Sequence, residues 1–218
     1  MSLTTILAVD SHEFTMRLPS HLALSAALIV ITIHSVNARG QGYAVLPHQE
    51  VRVAPLPSIV ADSRADADVI AASVATAVMD PEICCGRKSA LEDQVGSITR
   101  FSLKDLGAKL RGKHYLDSGA SVVIQDEYWP AASVNSDQII VTLQAQRPLL
   151  MTWNGHLFVV YGVAFNQYAY DDGTITHVIE KLLLLDTRFD DDRRYVTFNR
   201  QTDDWTKVSG LLSLSITR

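Results

Sequence analysis

From Asp66 to Met79 the chain reads DADVIAASVATAVM, alanine-rich with apolar residues at helical spacing, which predicts a helix. Asp80-Pro81-Glu82 then supplies a helix-start signal: an acid able to cap, a proline at the first turn and a second acid to complement the dipole. A second helix is expected from there through Gln94, ended by Gly96, and a third short one from Ser102 to Leu110 with Ser102 as its cap, against which Gly107 counts. Gly112 to Ala132 reads as irregular, with one strand at Ser121 to Gln125. Ser136-Asp137 can cap a helix through Gln146, whereas Ile139-Ile140-Val141-Thr142 favours a strand on propensity. After Arg147 the pattern changes to apolar runs rich in valine, leucine and aromatics. They predict strands at Pro148–Trp153, His156–Phe165, Thr174–Asp186, Tyr195–Asn199 and Leu211–Thr217. Asp171-Asp172-Gly173 predicts a hairpin turn, since Asp-Gly accepts the positive φ that tight hairpins require.

Helices first and strands afterwards, neither half large enough for a core of its own, predict an α+β fold with N-terminal helices packed on a C-terminal antiparallel sheet. The cleft between the halves is the default site. Residues 66–218 form the expected domain, and 39–65 an extended lead-in or pro-segment, because Gly40 to Pro57 carries prolines and glycines without periodicity. Ahead of it, Arg17 precedes the apolar stretch Leu22 to Ile33, and Val36-Asn37-Ala38 suits a signal-peptidase site. Residues 1–38 are thus expected to be a leader whose secretory signal is 16–38, with Met16 as the initiator. The stretch is shorter than the roughly 20 residues needed to span a bilayer, so no stable membrane anchor is expected. A secreted or periplasmic protein follows.

Composition narrows the function. The chain has 218 residues, 47% hydrophobic and 20% charged, ordinary for a globular protein. A net charge of -5 argues against a nucleic-acid partner, which needs a basic face. The two cysteines, Cys84 and Cys85, are neighbours, which excludes a conventional disulfide framework. No metal-ligand spacing joins His48, His114, His156 and His177, the Asp190-Asp191-Asp192 run lacks the spacing of a calcium loop, and no cofactor motif is present.

Chemistry then rests on few residues. Cys85 opens Cys-Gly-Arg-Lys-Ser-Ala-Leu-Glu at the start of the expected second helix, where unsatisfied amides and the dipole favour a thiolate. The cap at Asp80 sets Cys85 nearly a turn inside that helix, which blunts the effect. Gly155-His156 begins a strongly apolar strand, so the imidazole stands at the lip of the sheet and can face a helix N-terminus across a cleft. Asp186 closes the next strand, where a carboxylate can orient an imidazole. A buried structural cysteine and a turn-capping aspartate are the competing readings, and His114 and His177 are alternative histidines.

Cysteine, histidine and aspartate in this order, on helix, strand and next strand, resemble the papain-like cysteine peptidases, and within them the C39-like branch related to bacteriocin-leader peptidases. The motifs are Cys85-Gly86 followed by Gly96-Ser97-Ile98-Thr99-Arg100-Phe101-Ser102-Leu103-Lys104-Asp105-Leu106, then Arg147-Pro148-Leu149-Leu150, Gly155-His156-Leu157-Phe158-Val159-Val160 and Leu185-Asp186. They span about Asp80 to Asp190 and favour the helix over the strand for Ser136–Gln146. The resemblance implies Cys85 as nucleophile, His156 as general base and then acid, and Asp186 as the orienting carboxylate, with Cys84 as the alternative nucleophile one residue away. It implies a peptide or protein substrate and no cofactor. Two departures stand out. Met79 occupies the place of the family's oxyanion-stabilising glutamine, and Thr187 follows the aspartate where relatives often carry proline. Two other functions fit the same residues: a transglutaminase-like acyltransferase, and a non-catalytic binding protein on a degenerated form of the fold.

Overall fold

The computed structural model describes residues 42–53, 55–62, 65–83, 101–116 and 118–218. All belong to one compact unit, Thr32–Arg218. The expected leader, Cys84 and Cys85 lie outside the described residues, as does the expected second helix beyond Ile83.

In chain order the elements are β1 (Tyr43–Arg52), α1 (Asp66–Ala77), a 3₁₀ turn (Pro81–Ile83), α2 (Leu103–Leu110), β2 (Gly112–Tyr115), β3 (Ser121–Pro130), α3 (Ser136–Gln144), β4 (Leu149–Trp153), β5 (His156–Tyr170), β6 (Ile175–Leu185), β7 (Tyr195–Asn199) and β8 (Val208–Thr217). The eight strands make one sheet in the order β2-β3-β8-β4-β5-β6-β7, every pairing antiparallel, and β1 adds to β5. The 15-residue β5 is the spine: β4 pairs with His156–Val160, β1 with Gly162–Tyr170, and β6 runs along the other edge.

The expected papain-like α+β division into a helical half and a sheet half is corrected by this topology. The fold is mainly β, with three short helices among the described residues, and strands open the described chain and interrupt its helices. Two sequence signals behind the difference are weak. In β3 a period-2 alternation buries Val122 and Ile124 but is broken by Asp126, and in β1 most side chains are exposed, leaving little hydrophobic pattern to read. The segment after β1 also enters the core through the buried Val53, Ile59 and Ala61.

The sheet is covered on both faces. One carries α1 and α2 over Leu150, Leu157, Val159, Leu185 and Leu212, the other α3 over Leu149, Met151, Phe158, Val160 and Phe198. Neighbouring residues of β4 and β5 therefore belong to opposite clusters, which is why these strands read as continuous apolar runs instead of alternating ones.

Local signals explain the helices. Val69 through Ala77 of α1 are all buried, and alanines at 72 and 75, both fully buried, let it lie close on the sheet. It ends in a Schellman motif, with the amides of Met79 and Asp80 donating to the carbonyls of Thr76 and Ala75 and Met79 at φ 57. Ser102 caps α2 by accepting from the Asp105 amide at 3.3 Å. Gly107 inside that helix answers a packing need: a Cβ there would lie 2.7 Å from Asp126 Oδ2 and 2.9 Å from Leu212 Cδ1. The cap of α3 is Asn135, one residue before the expected Ser136, in a capping box with Gln138. The Asp171-Asp172-Gly173 hairpin forms as expected, with Gly173 at φ 83.

The β4–β5 hairpin turns on Asn154 and Gly155, at φ 52 and 78, between the paired Trp153 and His156. No atom lies within 4 Å of a Cβ placed on Gly155, so Gly155→Ala meets only backbone strain. It is expected to lower stability by about 1–2 kcal/mol, read from the urea midpoint at unchanged slope.

Candidate functional site

The Asn-Gly turn that joins two buried strands leaves the first residue of β5, His156, exposed at the sheet's lip. Beside it opens a cleft of about 200 Å³ lined by Asp66, Val69 and Ile70 of α1, Phe101 ahead of α2, Gly155, His156, Leu157 and Arg188. Val69, Ile70, Phe101 and Leu157 give it apolar wall, and Asp66, His156 and Arg188 are its polar lining.

Asp186 sits just past the end of β6 with its side chain 3% exposed. Its backbone amide donates to Arg194 O at 2.7 Å, and its carboxylate is bound by Arg188, from Nε to Oδ1 at 2.9 Å, from Nη2 to Oδ2 at 2.6 Å and from the backbone N–H to Oδ1 at 3.0 Å. This forked pair raises the Arg188 pKa above its ordinary value, the hydrogen bonding to Asp186 outweighing the opposing effect of burial. The remaining arm of the guanidinium, Nη1, lies 3.1 Å from His156 Nδ1. A guanidinium has only donors to offer, so Nδ1 accepts and the neutral ring carries its proton on Nε2.

The structure thus joins His156 to Asp186 through Arg188 instead of through the direct contact a triad uses. The hydrophobic pattern points to the carboxylate that ends the apolar run and not to Arg188. The signal was present in the Asp-x-Arg spacing, which lets an arginine fold back on an aspartate two residues earlier. Thr187, where the resemblance leads one to expect proline, ties this loop to α1: its Oγ1 is 2.8 Å from Ser73 Oγ and donates to Val69 O.

The other candidates have structural surroundings. His114 is buried with Nε2 2.6 Å from Leu110 O, at the junction of α2 and β2. His177 sits on the α3 face, its Nδ1 2.6 Å from Asp137 Oδ1 and its Nε2 2.9 Å from Gln167 Nε2. Trp153 pairs in register with His156, but its ring packs on Phe158 and Phe198 in the cluster under α3. Met79 holds the left-handed position that ends α1, a backbone role in place of the oxyanion glutamine. Asp80 accepts from the Glu82 amide at 3.0 Å, capping the 3₁₀ turn, and pairs with Arg218 at 2.6 Å. Among the described residues no group of three or more His, Cys, Asp or Glu side chains is placed to hold a metal, and no helix is long and apolar enough to cross a membrane.

No protein-family model matches the chain, and no curated protein sequence matches it.

Proposed function

We propose that the protein is a secreted or periplasmic thiol hydrolase that cleaves peptide or amide bonds at the His156 cleft, with Cys85 as nucleophile and Cys84 as the neighbouring alternative. One observation supports this reading most. Ile83, the residue before Cys84, is buried in the same apolar cluster as Val69, Ile70 and Leu157, which line the cleft beside His156. Ile83, the last described residue before the cysteines, thus shares the apolar cluster of the cleft wall, and Phe101, the first described residue after them, lines the cleft.

The chemistry follows from the residue types. Arg188 is held by Asp186 through two of its arms and can release Nδ1 without losing that pair. The freed imidazole takes the thiol proton, the thiolate adds to the substrate carbonyl carbon, and the C–N bond breaks as the imidazolium returns the proton to the leaving amine. Water then attacks the thioester, giving its proton to the imidazole, and the carboxylic acid leaves as the thiol is restored. Arg188 and Asp186 are positioning residues in this scheme.

A second reading, ligand binding without chemistry, is favoured by the Arg188–His156 contact itself, since a ring with Nδ1 engaged offers the cleft a donor and no base. Labelling with a thiol-directed peptidase probe at pH 7 under reducing conditions separates the two. An unactivated thiol is only a few per cent thiolate at that pH, so removing an activating base slows labelling by about tenfold or more. The hydrolase reading expects wild type to label rapidly, His156→Ala to be slowed by that factor, and Cys85→Ala to lose the signal. Loss in Cys84→Ala alone moves the nucleophile by one residue. Equal, slow labelling of wild type and His156→Ala excludes the hydrolase and leaves the binding reading.

A further inference from the structure

On the face covered by α1 and α2, sharing no lining residue with the His156 cleft, a cavity of about 630 Å³ opens among β5, β6, the start of β7 and the segment after β1. Its size is typical of sites for small organic molecules. Tyr161 and Tyr195 stand edge to face with ring centroids 6.2 Å apart, and Leu56 and Leu185 add apolar wall. Two guanidinium groups line it, Arg52 and Arg194.

Arg194 is the unusual member. Its side chain lines the cavity and makes no ion pair among the described residues, and its guanidinium lies 5.5 Å from the Tyr195 ring centroid. Its backbone is fixed at both ends, the N–H donating to Asp191 O at 3.0 Å and the carbonyl accepting from Asp186 N at 2.7 Å, so the side chain is presented by a rigid frame. Three nearby acids have other partners: Asp186 pairs with Arg188, Asp191 with Arg193 and Glu50 with Arg52. A guanidinium that lines a cavity without a carboxylate partner is matched best by an anionic oxygen, which makes the strong charge-assisted hydrogen bonds.

We propose that this cavity binds a small organic carboxylate carried on a flat ring, with Arg194 as the principal anchor, Arg52 at the rim and the two tyrosines holding the ring. Of the two lining guanidiniums Arg52 is paired with Glu50, which leaves Arg194 as the one lining cation without an ion pair among the described residues, and a single cation matches a carboxylate better than a doubly charged phosphate. Burial, with smaller effects from its charged neighbours, raises the Tyr161 pKa, so its phenol stays protonated at neutral pH and can donate. The site is independent of the thiol chemistry proposed above.

Calorimetric titration of the full chain with benzoate, benzamide and phenyl phosphate tests it. Benzoate is expected to bind saturably, benzamide about tenfold more weakly or not at all, and Arg194→Gln to weaken benzoate by about tenfold, as loss of a charged hydrogen bond implies. Arg200→Gln, which alters an arginine stacked 4.2 Å over Trp205 beside α3, is expected to leave benzoate binding within about twofold. Absence of saturable benzoate binding, equal affinity in Arg194→Gln, or tighter binding of phenyl phosphate than of benzoate would overturn the assignment. Should Arg194→Gln fail to fold, ring-proton NMR shifts in the wild type decide: shifts at Tyr161 and Tyr195 support the site, and shifts confined elsewhere overturn it.

Discussion

Arg188→Ala is expected to lower the stability of the fold by about 3 kcal/mol, the low end of what removing one partner of a buried ion pair costs. The low end applies because the arginine side chain is 27% exposed and the Asp186 carboxylate keeps the hydrogen bond from the backbone N–H of residue 188, whereas the carboxylate itself is 3% exposed and cannot turn to water. Most of the loss is the burial of an unpaired charge, so the double variant Asp186→Leu, Arg188→Leu should lose less than Arg188→Ala alone. Arg188→Lys should recover only part, since an ammonium cannot grip both carboxylate oxygens and also reach His156 Nδ1. Urea denaturation of the four proteins checks this. A loss below about 1 kcal/mol in Arg188→Ala would mean that Asp186 is solvated and that the loop does not hold the imidazole as described.

Phe198→Ala should be at least as damaging, at about 4–5 kcal/mol. The ring is fully buried in the cluster under α3 and meets Trp153 edge to face at 5.1 Å and Trp205 at 5.6 Å. Truncation removes its transfer energy, opens a cavity and breaks both aromatic pairs. The effect reaches beyond the core because Phe198 anchors β7, whose first residue is Tyr195 of the carboxylate cavity. Phe198→Leu should cost less than half as much, since most of the volume is kept. A thermal or urea measurement showing under about 2 kcal/mol for the alanine variant would indicate that the aromatic cluster collapses to fill the gap.

The candidate site was half legible in the sequence. A Gly-His pair at the head of an apolar run has few places to go except the end of a buried strand, and His156 begins β5. Asp186 follows the apolar run of the neighbouring strand in the same way, just past the end of β6. Their spatial nearness follows from the β5–β6 pairing, in which Val159 and Val160 face Leu185 and Leu184. The pattern could not show that an arginine two residues past Asp186 would take the carboxylate and interpose itself. In sequence, Arg188, Arg193 and Arg194 look alike. In the fold one bridges a carboxylate and an imidazole, one pairs with Asp191 on the surface, and one is left facing a cavity.

What the sequence determined by itself is what neighbouring residues decide among themselves: the Ser102 cap, the Asp-Gly hairpin, the helix at Asp66 and the apolar strands from Leu149 to Leu185. These depend on backbone conformations and side chains within a few residues, so short windows encode them. Tertiary structure alone decided that the fold is mainly β, that β1 extends the far half of β5, and which cation each carboxylate receives. Strand edges and ion pairs choose partners by what is near after collapse, and a one-dimensional pattern carries no record of that distance.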